Sequence, residues 1–94
     1  MDREGRITEM EKRLDSALAA VRAMESALAL YAGAQEDIRA LEAYYTGDDW
    51  RADFEADERG LLPEGLRRGV LSEDGIAQLL DDNDALRQSL RELL

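Results

Sequence analysis

Residues 7–31 read ITEMEKRLDSALAAVRAMESALALY. Ile7, Leu14, Val21 and Leu28 share one heptad position, and Met10, Ala17, Met24 and Tyr31 share the other. All eight of these positions are apolar, the pattern of a coiled-coil seam that packs on another helix at a shallow angle. Arg6, Glu11, Arg13, Arg22 and Glu25 lie off the seam, where a solvated face puts them. Alanines at 17, 19, 20, 23, 27, 29, 32 and 34 narrow the middle of the helix, so a partner backbone can approach closely.

Beyond the heptads, Ile38 and Tyr45 stay near the seam and Leu41 lies beside it. Gly33 is the one candidate break, because as a C-cap it would end the helix at Ala32. As an exposed interior residue it costs ~1 kcal/mol, which a long helix absorbs. One helix over about 3–45 is the preferred reading, and it would be ~65 Å long at 1.5 Å per residue.

Thr46-Gly47 stops that helix. Asp48 or Asp49 then caps a short helix over about 48–58, with Trp50 and Phe54 four apart on one face. Arg59-Gly60 ends it. Residues 59–71 contain Leu61, Leu62, Leu66, Val70 and Leu71, too apolar for a flexible linker, and read as an ordered loop. Ser72 is placed to cap a last helix over 72–93, with Glu73 and Asp74 in its first turn. Its stripe is Ile76, Leu79, Asn83, Leu86, Leu90 and Leu93. Asn83 reads either as a partly wet edge residue or as a polar register pin.

Composition agrees with helices. Fourteen Ala and fifteen Leu face only seven Val, Ile and Thr together. The expected fold is all-α, a single domain over 1–94. It has a long N-terminal helix, a short middle helix, an ordered loop and a C-terminal helix. The last helix would pack antiparallel along Ile7 to Leu28, as an elongated helical hairpin or a three-helix bundle. That leaves part of the seam uncovered, so a homodimer or another protein partner is expected.

The chain has no histidine and no cysteine. It therefore lacks the commonest general base, the commonest metal ligand and any thiolate. Charges run throughout the first 30 residues, which excludes a signal peptide or membrane span there. The net charge of −10 argues against nucleic acid and anionic membranes as partners. A cytoplasmic protein is expected.

The stretch 44–74 reads YYTGDDWRADFEADERGLLPEGLRRGVLSED. It resembles the signature of a family of short bacterial proteins known only as a domain of unknown function. The residues that carry the resemblance are the Tyr44–Tyr45 pair, Trp50, the DFExDExG run from Asp53 to Gly60, Leu62–Pro63 and the RGVLSED run from Arg68 to Asp74. The resemblance is specific there and generic elsewhere. It implies a helical fold and no activity.

Four of the five aromatics (Tyr44, Tyr45, Trp50, Phe54) fall within eleven residues. Aromatics pin helix ends to loops in small domains. They are also enriched at binding hot spots, which makes Tyr44, Tyr45 and Trp50 candidate partner contacts. Of the tyrosine pair, Tyr45 is the better candidate for exposure. Residues 46–66 carry a charge of −5. Asp53, Glu55, Asp57 and Glu64 are spaced like a calcium loop, but Glu58 occupies the position where such a loop needs Gly. The enzyme reading that competes best is an all-helical, Mg²⁺-dependent nucleotide pyrophosphatase. It would use Glu55 and Glu58 with Asp81 and Asp84 as metal ligands. Asp81 stands where that motif has Glu, and Lys12, the only lysine, is distant in sequence. A third reading makes the acidic surface a nucleic-acid mimic or a cap for a basic protein. The expectation carried forward is a non-catalytic interaction or dimerisation module with no catalytic residues and no cofactor.

Overall fold

A computed structural model describes residues 2–94. Its elements are α1 (Arg3–Tyr45), α2 (Asp48–Glu58), a 3-10 turn (Gly69–Leu71) and α3 (Gly75–Leu93), and among the described residues there is no strand. The protein is all-α, with a long N-terminal helix and a C-terminal helix. By its internal contacts the chain divides into two units, one ending at Gln35 and the other spanning Glu36–Leu94.

Asp2 caps α1. Its carboxylate accepts a hydrogen bond from the Gly5 N–H at 2.6 Å, satisfying one donor left over at the helix start. The helix then runs through Gly33 without interruption. Nothing lies within 4 Å of where a Cβ on Gly33 would sit. The helix ends where the Thr46 N–H and hydroxyl both donate to the Glu42 carbonyl, at 3.0 and 2.8 Å.

Two expected caps are corrected. The N-cap of α2 is Gly47, with extended backbone and no side-chain cap bond. Asp48 and Asp49 lie inside the first turn of α2, where their charges favour the positive end of the helix dipole. The last helix begins at Gly75 rather than after Ser72, with Asp74 as its N-cap. Ser72 acts from the preceding turn: its hydroxyl donates to the Gly69 carbonyl at 2.9 Å and accepts the Gly75 N–H at 3.1 Å.

Helix α2 closes in a Schellman motif. Leu61 N–H bonds to the Ala56 carbonyl and Gly60 N–H to the Asp57 carbonyl, each at 3.0 Å. Gly60 has φ of +69°, the left-handed region open to glycine without a Cβ penalty.

Leu71 and Ile76 are the fully buried hydrophobic residues among those described, at 6% and 3% exposure. They flank the junction where the 3-10 turn meets α3, and the same turn packs on α2. Within Glu36–Leu94, Ile38, Leu41, Phe54, Leu62, Leu80 and Leu90 are half-buried. Ile7, Met10, Leu14, Val21, Met24 and Leu28 keep 44–55% of their surface exposed, while α3 has its buried residue, Ile76, beside the 3-10 turn. The segment from Leu61 to Leu71 is more open than its composition suggests. Leu61, Leu66 and Val70 are exposed, and only Leu62 and Leu71 turn inward.

Candidate functional site

The aromatic cluster is built around α2. Because Trp50 and Phe54 are four apart, their rings lie over one another on one helix face. They stack with centroids 5.1 Å apart and 19° between planes. Tyr45, the last residue of α1, meets Trp50 edge-on at 4.9 Å and 71°. The Trp50 indole N–H donates to the Val70 carbonyl at 2.8 Å, which ties the 3-10 turn to α2. The Tyr44 hydroxyl donates to the Asp53 carboxylate at 2.6 Å. That bond, with desolvation and the charges of Asp53 and Asp49 adding to it, pushes the Tyr44 hydroxyl up to about 12.

All three sequence-predicted contact residues therefore have partners inside the chain. Tyr44, Tyr45 and Trp50 are each half-buried, and Tyr45 is not singled out as the exposed member of its pair. Arg68 donates to the Asp57 carboxylate at 2.6 Å, so one member of the acidic run is spent holding the loop to α2. Glu55 and Glu58 lie on α2, and Asp81 and Asp84 on α3. Among the described residues, no group of three or more carboxylates gathers around a point that a metal ion could occupy. Among the same residues, no helix is long and apolar enough to cross a membrane.

The seam of α1 behaves differently. From Ile7 to Leu28 its large side chains are exposed, and no residue of α1 is buried. Tyr31, at the end of the heptad run, is half-buried. The ion pair next to the seam is local, from Arg13 to Glu9 at 3.1 Å one turn away. Leu61, Leu66 and Val70 are exposed as well, which sequence reasoning missed. Each lies between α2 and α3, where no long helical or strand period marks a face.

Over residues 7–93 the chain matches the family described as Domain of unknown function (DUF4298). It belongs to the DUF4298 family. The match covers nearly all of α1 together with α2, the 3-10 turn and α3. No curated protein and no solved structure matches this DUF4298 chain.

Proposed function

We propose that this DUF4298 protein is a non-catalytic helical interaction module of the cytoplasm, and that the seam of α1 is its contact surface. The supporting observation is the exposed apolar stripe from Ile7 to Leu28 on a continuous helix. A stripe of this length in a folded chain marks a protein contact. The aromatic cluster anchors the end of α1 to α2 and the loop. A net charge of −10 keeps the free chain soluble and disfavours nucleic acid as the partner.

The test combines light scattering after size exclusion with affinity capture from the native host. The unaltered chain is expected to form a species heavier than its 10.5 kDa monomer, or to retain a partner. The double variant Leu14→Glu/Val21→Glu is expected to lose both properties with α2 and α3 intact. A monomer at high micromolar concentration, with identical captured proteins for the variant and the unaltered chain, would refute the reading.

A further inference from the structure

The geometry points to one occupant of the seam: a second copy of this chain, lying parallel and in register over Ile7–Leu28. This inference rests on the interaction reading above and specifies its partner. The first argument is the shape of the seam. The heptad position of Ile7, Leu14, Val21 and Leu28 holds both β-branched residues, and the other position holds Met10, Ala17 and Met24. Among parallel assemblies, β-branched residues at that first core position favour two strands over three or four. Ala17 in the core, with Ala20 and Ala27 flanking it, allows the two backbones to approach closely.

The second argument is charge. In a parallel pair, each residue just before the first core position faces the residue five places later on the other chain. Arg6 then meets Glu11 of the second copy, and symmetry repeats the pair. Arg13 lays its aliphatic stem on Leu18, Ala20 meets Glu25, and Ala27 meets Ala32. No like charges face each other. The antiparallel register that pairs the seam end to end, Ile7 with Tyr31 and Leu14 with Met24, sets Glu25 of one copy against Glu11 of the other, twice, and forms no opposite-charge flanking pair. Arg6 and Glu11 are also available. Among the described residues the ion pairs are Arg13–Glu9 and Arg68–Asp57, and neither uses them.

Because the chain contains no cysteine, a single introduced one reports orientation. Under mild oxidation, Met10→Cys alone is expected to form a disulfide-linked dimer, because a parallel pair sets the two core residues side by side. Leu30→Cys, exposed and off the seam, is the collision control and should stay monomeric. Cross-links found only when Met10→Cys is mixed with Val21→Cys or Leu28→Cys would show an antiparallel dimer. That would overturn this inference while leaving the interaction reading intact. A monomer at high micromolar concentration with no cross-link would overturn the second copy as partner. The seam-dependent capture described above then decides whether the interaction reading falls too.

Charge exchange gives an independent readout. Arg6→Glu or Glu11→Arg alone should raise the dimer dissociation constant about tenfold at low salt. The double exchange Arg6→Glu/Glu11→Arg should restore it. Failure of the double variant to restore dimerisation would refute the pairing.

Discussion

Gly75 shows how one atom decides a junction. A Cβ there would sit 2.7 Å from both the Gly69 carbonyl oxygen and the Ser72 hydroxyl oxygen. The hydroxyl can rotate, but the carbonyl is backbone, so the 3-10 turn must move. Gly75→Ala is expected to destabilise the protein by about 1–3 kcal/mol, read as a lower denaturant midpoint. Tyr44 supplies a pH signature. Its hydroxyl ionises near 12 in the folded protein against an ordinary value of 10.0. The native state thus holds this proton more tightly than the unfolded chain. The stability it contributes is complete below pH 10.0 and is lost as pH rises through about 12. Denaturant melts across that window should lose stability in the unaltered chain, and Tyr44→Phe should remove this component.

At the scale of elements, α1 is held by propensity and capping more than by burial. It has no buried residue, yet it runs unbroken from Arg3 to Tyr45. Ala- and Leu-rich composition and the Asp2 cap are what sustain it. Gly33 is its weakest position and faces open space. Gly33→Ala is therefore expected to stabilise the helix by ~1 kcal/mol, measured as higher helicity by circular dichroism on heating. The two alanine substitutions should act in opposite directions, because one Cβ meets a carbonyl and the other meets nothing. Periodicity predicts long elements well, since each heptad repeats the same statement. It is poor at their ends. Gly47 caps α2 where Asp48 or Asp49 was expected, and α3 starts at Gly75 rather than after Ser72. A side chain able to cap does so only if the backbone presents an N–H to it, and that depends on the turn.

For the molecule as a whole, burial is concentrated where the 3-10 turn meets its neighbours. Leu71 and Ile76 lie there, and Trp50 ties the turn to α2 through Val70. Local stability should follow this distribution. Amide exchange is expected to be slowest around Leu71–Ala77 and, among the helical segments, fastest in residues 7–28 at low protein concentration. At high concentration, protection of residues 7–28 should rise if the seam is occupied. Concentration-independent exchange in that segment would count against both the contact surface and its self-pairing.

The heptad from Ile7 to Tyr31, the helix-rich composition and the glycine and proline breaks after Thr46 determined by themselves that the protein is all-α with one dominant helix. They do so because helical period and propensity are local properties of the chain. They also exposed the lack of His and Cys chemistry. Only the tertiary structure decided which apolar residues are spent. Leu71 goes inside while Leu61, Leu66 and Val70 stay out, and the aromatics near Trp50 serve one another. The seam from Ile7 to Leu28 stays open because burial needs a surface brought from elsewhere, and no local pattern of residues specifies which surface that will be.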